Sequence, residues 1–232
     1  MVFNSIFFIF CFLPVFMLIY YLVPGKLRNL LLFLGSLVFY AWGEPVYVIL
    51  MLFSSVFNYY MGTELERLYY DDRKQKINLI FSIVVNLFIL VFFKYYGFLL
   101  NTIGGITGIH IPHPELSLPI GLSFYTFRNL SYLFDIYLSK INAQRNFLTF
   151  AVYSTMFPYT SAGPIIRYAD IEEQFTHRSL NVSRFGLGAE LFVKGLAKKV
   201  LLADNLSALY AGICGHSQMS VFTAWIGILA YT

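Results

Sequence analysis

Arg128 and Asp135 are opposite charges set seven residues apart inside one apolar run, Ile120 to Leu138. Seven residues is two helical turns, so the pair shares one face of a helix. A charge at bilayer depth costs about 2.5–3.5 kcal/mol on insertion scales. Such groups therefore face a partner or a wet cavity. Two chemistries fit: the polar lining of a substrate path, or pairing with a neighbouring helix or an interface.

A second candidate is "MFPYTSAGPIIRY", Met156 to Tyr168. Pro158 and Pro164 remove two backbone donors, and Ser161, Ala162 and Gly163 allow close backbone approach. Broken backbone at membrane depth persists only where protein or a water-filled cavity satisfies it. Arg167 follows directly. A broken element ending in an arginine can hold a phosphate, a carboxylate or polar backbone. The plainer reading is a loop leaving the membrane with Arg167 as its anchor.

Lys194, Lys198 and Lys199 lie at helical spacing, the first two as i, i+4 neighbours. They read as a basic patch for an acyl donor or for anionic lipid. His110, His113, His177 and His216 all fall in polar or loop segments. A catalytic histidine needs a positioned partner in a protected site, and none of the four has one in the sequence. "HIPHP" lacks further metal ligands. No catalytic residue, metal site or bound cofactor is assigned, and no nucleotide loop or nucleophile elbow occurs.

The elements that must position these residues are apolar helices. The chain has 232 residues, 58% hydrophobic and 12% charged, where a soluble domain carries about 25% charged residues. The apolar load points to a bilayer as solvent. Its positive charges sit in short loops between apolar runs, which excludes a nucleic-acid partner and predicts contact with membrane lipids. The two cysteines, Cys11 and Cys214, form no disulfide framework.

A bilayer core of ~30 Å takes about 20 helical residues. Phe3 to Val23 fits one span. Leu30 to Met61 is broken at Gly43 to Pro45 and reads as a hairpin of two. Glu64 to Lys76 is charged and aqueous. Ile77 to Leu100 is a further span, with Lys94 between aromatic anchors. Asn101 to Pro119 is a Gly/Pro-punctuated loop. Ser139 to Asn146 is a basic loop, and Phe147 to Phe157 is too short to span. Arg167 to Arg184 is polar and mixed in charge, and Phe185 to Leu206 is amphipathic. Ser220 to Thr232 is apolar and short of a span, which predicts a chain that stops inside a helix. The basic loops place Lys26, Arg28, Arg67 to Lys76, Lys140 and Arg145 on the cytoplasmic side.

Three stretches carry a resemblance: "LRNLLLFLGSLVFYAWGEP", "LPIGLSFYTFRNLSYLFDIY" and "FPYTSAGPIIRYADIEEQF". Together, in order and with similar spacing, they resemble the amino-terminal half of membrane-bound O-acyltransferases. The branch is the bacterial one that O-acetylates alginate and other cell-surface polysaccharides. The resemblance implies an all-α, multi-pass protein of the bacterial cytoplasmic membrane, with a helix ring around a funnel. Residues 1–232 would be the amino-terminal part of that single transmembrane domain. It implies an acyl donor, acetyl-CoA or an acyl carrier, arriving from the cytoplasmic side. It also implies a polysaccharide hydroxyl as acceptor and an extracytoplasmic acetylation partner.

By the same resemblance Gly163, Pro164 and Arg167 belong to the funnel-lining "AGPIIRY" element, with Tyr125, Arg128 and Asp135 beside it as lining or support. Arg128 stands where the resemblance leads one to expect glutamine. The family's catalytic histidine lies in the other half, which implies that this stretch alone is inactive. Two other classes fit the intramembrane charges: a transporter or flippase for a lipid-linked or anionic substrate, and a non-catalytic membrane scaffold.

Overall fold

The computed structural model describes residues 5–107, 117–160, 164–176, 178, 181–215 and 220–232. Their regular elements are all helices, without a strand among them. They divide into two compact units, one of Phe16–Arg178 and one of Val2–Val15 with Ser179–Thr232.

The first apolar run is helical, as expected. It begins with a π-helical turn, Phe8–Phe12, and continues as α1, Leu13–Leu22. Pro14 explains the wide turn. It has no N–H and its ring crowds the carbonyl four residues back, and a π turn relieves that crowding.

In the larger unit, α2 (Arg28–Gly43) and α3 (Val48–Arg67) form the hairpin predicted around Gly43 to Pro45. A turn at 68–71 leads into α4, Asp72–Thr107. Asp71 caps α4: its carboxylate accepts the Lys74 amide at 3.1 Å and meets Lys74 Nζ at 2.8 Å. The Lys74 ammonium and these hydrogen bonds hold the Asp71 carboxyl below the usual carboxylate range.

Helix α4 runs beyond its predicted end. Gly104 and Gly105 weaken a helix without forbidding it, and no proline intervenes before Pro112. The Thr102 and Thr107 hydroxyls bond back to Phe98 and Ile103 carbonyls, both at 2.8 Å, and so stay inside the helical pattern. Among the described residues α4 alone is long and apolar enough to cross a membrane; Phe8–Leu22 and Val221–Tyr231 are apolar and shorter.

Helix α5, Leu122–Tyr137, packs on α3 and α4. Helix α6, Phe147–Thr155, packs on α2 and α3 and is capped by Asn146, which accepts the Thr149 amide at 3.3 Å. The mixed-charge stretch after Arg167 forms a helix, α7, Tyr168–Thr176. Tyr168 and Phe175 are seven residues apart, so both bury on one face, while Asp170 sits in the first turn near the positive helix end.

Polar side chains occupy the interior of this unit. Ser36, Ser55, Asn58, Ser82, Asn129 and Ser154 are fully buried, while Phe81, Val84, Phe88 and Phe92 face outward from α4. Water would favour the reverse arrangement, and hydrocarbon favours this one.

In the smaller unit, α8 (Val182–Lys198), a π-helical turn (Lys199–Ala203) and α9 (Asp204–Cys214) form one run. It is longer at both ends than the amphipathic stretch predicted. Asn181 accepts the Ser183 amide at 2.8 Å and caps α8. Helix α10, Val221–Tyr231, packs against α9, with Tyr210 and Tyr231 ring centroids 5.2 Å apart.

Candidate functional site

Helix α5 starts on a glycine that no other residue replaces freely. Gly121 has φ +76, the left-handed region. A Cβ there would lie 2.1 Å from the Thr160 carbonyl oxygen. The start of α5 and the break after α6 are thus in backbone contact.

The break itself is held by Arg128. Helix α6 stops at Thr155 and a 3₁₀ turn, Phe157–Tyr159, follows with Pro158 inside it. The last carbonyls of any helix have no partner within it. Arg128 NH1 donates to the Tyr153 carbonyl at 2.9 Å and to that of Ser154 at 3.3 Å, and NH2 donates to the Tyr159 carbonyl. The guanidinium lies about 6 Å from the ring centroids of Tyr153 and Tyr159, at 6.0 and 5.9 Å. The Thr160 hydroxyl is 3.1 Å from the Thr155 carbonyl and 2.9 Å from that of Met156, and Ser36 Oγ accepts the Phe157 amide at 3.1 Å. Around Pro158, the carbonyls of Tyr153, Ser154, Thr155, Met156 and Tyr159 and the Phe157 amide are satisfied by protein.

Arg128 and Asp135 share a helix and have separate partners. Asp135 is buried with Oδ1 3.9 Å from Lys140 Nζ, and its Oδ2 has no hydrogen bond. Tyr125 is fully buried beside Tyr40, Met51, Leu90 and Leu122, and its hydroxyl is unbonded. Tyr153 ties the next segment in, its hydroxyl lying 3.2 Å from the Arg128 carbonyl and 3.1 Å from that of Ile166. Pro164 and Arg167 are exposed, and Arg167 has no side-chain hydrogen bond or ion pair among the described residues. Gly163 and all four histidines lie outside the described residues.

Of the three lysines, Lys194 pairs with Glu190 at 2.5 Å and Lys199 with Asp204 at 2.7 Å. The neighbouring carboxylates offset most of the positive charge read from sequence. No cluster of metal-binding side chains exists among the described residues.

Sequence reasoning missed the amide seam beside this site. Asn58 on α3 and Asn86 on α4 bond to each other, and Asn129 Nδ2 on α5 donates to Ser54 Oγ at 3.2 Å. Ser55 and Ser154 oxygens are 3.0 Å apart and join α3 to α6. The signal was present as polar pairs at i, i+4 inside apolar runs: Ser54 and Asn58, Ser82 and Asn86.

Among the described residues these features define an all-helical protein whose larger unit exposes apolar side chains and holds a hydrogen-bonded polar seam inside. The chain is 39% identical over 236 residues to the probable alginate O-acetylase AlgI of Pseudomonas aeruginosa, covering 100% of this chain and 45% of that protein. It is 37% identical to the Azotobacter vinelandii counterpart, covering 47% of it, and 31% identical to the peptidoglycan O-acetyltransferase of Helicobacter pylori, covering 50%. No family model and no solved structure matches the chain. Along its whole length the chain is a homologue of these AlgI-type and peptidoglycan O-acetyltransferases, which are of the membrane-bound O-acyltransferase type, and it spans about half of their length.

Proposed function

We propose that the protein containing this chain is a membrane-bound O-acyltransferase. It moves an acetyl or similar short acyl group to hydroxyls of a cell-surface polysaccharide such as alginate or peptidoglycan. The observation that carries this is homology to O-acetyltransferases over all of the chain. In the reaction a polysaccharide hydroxyl oxygen attacks the acyl carbonyl. The C–O bond of the new ester forms, the bond from carbonyl to donor breaks, and the hydroxyl proton passes to a base. None of this chain's histidines is assigned as that base. The donor, acetyl-CoA or an acyl carrier, acts as co-substrate.

Within this reading the helices cross the bacterial cytoplasmic membrane several times and form part of a ring around a funnel. The break after α6 lines it, Arg128 and Gly121 fix its backbone, and Arg167 is free to meet substrate. Polysaccharide and an extracytoplasmic acetylation protein are the partners, with lipid around the outside. The exposed Phe, Ile and Val of α4 support the membrane part, and the protein-satisfied break supports the lining role.

The test is transfer of labelled acetyl from a donor to polysaccharide by the full-length protein in membranes. Alkali-labile label on the polymer is expected. Correct membrane insertion with no label would overturn the reading, and substrate flux into vesicles without acetylation would replace it with transport. Residues 1–232 alone are expected to transfer nothing; detectable acetylation by them would show that the chain carries its own base.

A further inference from the structure

The larger unit holds a second group of guanidiniums, Arg28 and Arg178, with no carboxylate partner among the described residues. It is built around one phenol, Tyr20 on α1. The guanidinium of Arg28, the first residue of α2, lies over the Tyr20 ring, 5.7 Å from its centroid. Arg178, just after α7, places NH1 3.3 Å from the Tyr20 hydroxyl. Its Nε donates to the Gln174 carbonyl, and its guanidinium lies 5.4 Å from the Phe175 ring centroid. Asn29 Nδ2 binds α2 to α6 and α7 through Thr149 Oγ1 and the Phe175 carbonyl, both at 3.4 Å. Arg28 thus stands on a packed helix, and Arg178 is held by its own bonds to the Gln174 carbonyl and the Tyr20 hydroxyl.

Three facts point to an anion. No carboxylate among the described residues forms an ion pair with either guanidinium, although Asp170, Glu172 and Glu173 lie on the adjacent helix. Arg28 Nε is buried and has no partner. Lys26, in the turn just before α2, adds positive charge to the same stretch of chain. Like charges gathered without an anion repel. Guanidinium forks match the oxygens of a phosphate.

We propose that Tyr20, Arg28 and Arg178 bind a phosphate ester. The phosphate can come from an anionic lipid headgroup or from a soluble phosphate-bearing molecule. This site does not depend on acetyl transfer, so its failure and that of the acyltransferase reading are separate results.

The experiment uses the full-length protein in nanodiscs. One arm measures retained lipid by native mass spectrometry from discs of phosphatidylglycerol and phosphatidylcholine. The other measures coenzyme A binding in discs of phosphatidylcholine alone. The variants are Arg28→Gln with Arg178→Gln, and Lys76→Gln as an exposed-charge control. A preference for phosphatidylglycerol that the double variant loses, about tenfold, assigns a lipid phosphate. An equal loss confined to coenzyme A assigns a soluble phosphate. Unchanged binding of both probes in the double variant, or no binding of either by the wild type, overturns the proposal. Should the double variant fail to fold, Arg178→Lys keeps the charge and removes the fork. A severalfold loss is then expected, and wild-type binding would overturn the site.

Discussion

Asn58 and Asn86 face each other across α3 and α4 and exchange two hydrogen bonds, at 3.0 and 2.8 Å. Both are buried, and each also donates to a carbonyl four residues earlier on its own helix, Ser54 and Ser82, at 2.8 Å. Removing one amide strands the other, at about 1–3 kcal/mol for a buried unpaired polar group. Removing both leaves nothing stranded. Asn58→Leu or Asn86→Leu alone is therefore expected to destabilise strongly. The double variant should cost less than the sum of the two by about 1 kcal/mol. Thermal unfolding of the four proteins of the cycle checks this, and strict additivity would show that the pair is not coupled.

Arg128 is expected to be a structural arginine. Arg128→Met leaves the carbonyls of Tyr153, Ser154 and Tyr159 without their donor, at roughly 1–3 kcal/mol each where no water enters. Arg128→Gln keeps a two-donor amide and removes a buried charge, so it should be the milder change. Limited proteolysis near the 156–160 turn and the unfolding temperature report the order. Equal stability of both variants would mean that the carbonyls find other partners.

Gly121→Ala and Gly105→Ala should have opposite signs. At Gly121 an alanine meets the Thr160 carbonyl carbon and oxygen and must hold φ +76, so the backbone has to move, at a cost above about 1 kcal/mol. At Gly105 no atom lies within 4 Å of the added Cβ. There alanine favours the helix by roughly 0.5–1 kcal/mol. The difference in unfolding temperature between the two variants is the readout, and a stable Gly121→Ala protein would contradict the contact.

The Asp71 cap gives a pH dependence with a defined sign. The folded-state pKa of Asp71 is lowered by Lys74. Its contribution is present above the unfolded carboxylate pKa, near 3.9, and is lost as pH falls through the lower folded value. Amide exchange at the start of α4 is expected to quicken below that point in the wild type. Asp71→Asn, which keeps the acceptor oxygen and has no charge, should not show the change there.

Helix positions were readable because hydrophobic runs and Gly/Pro breaks are local signals. The α2–α3 hairpin and the 139–146 loop follow from them directly. The end of α4 was misplaced because two glycines weaken a helix without ending it. Helix α7 was not foreseen because its charges hide the burial of Tyr168 and Phe175. In the site, the spacing of Arg128 and Asp135 put both on α5, but not their partners. Those partners are carbonyls of α6 and of the turn after it, and Lys140, and no sequence pattern reports which carbonyl a guanidinium reaches. The Asn58–Asn86 pair was hidden for the same reason: its partners are 28 residues apart.

Arg167 separates lining from support. It is exposed, and the fold gives its side chain no hydrogen bond or ion pair among the described residues. Its neighbour Tyr168 is fully buried and lies 2.5 Å from Gln144 Nε2, so the local backbone is held without the arginine. Arg167→Ala should then leave folding and membrane abundance close to wild type. A charge-assisted hydrogen bond to substrate carries roughly 1.5–3 kcal/mol, which corresponds to about a 10- to 100-fold loss of acetylation in the full-length enzyme. Arg128→Met, by contrast, should lower abundance and acetylation together. Measuring both quantities for both variants in one membrane preparation decides the matter. Parallel losses in Arg167→Ala would move this residue from substrate contact to structural support. An unchanged acetylation rate would remove it from the site.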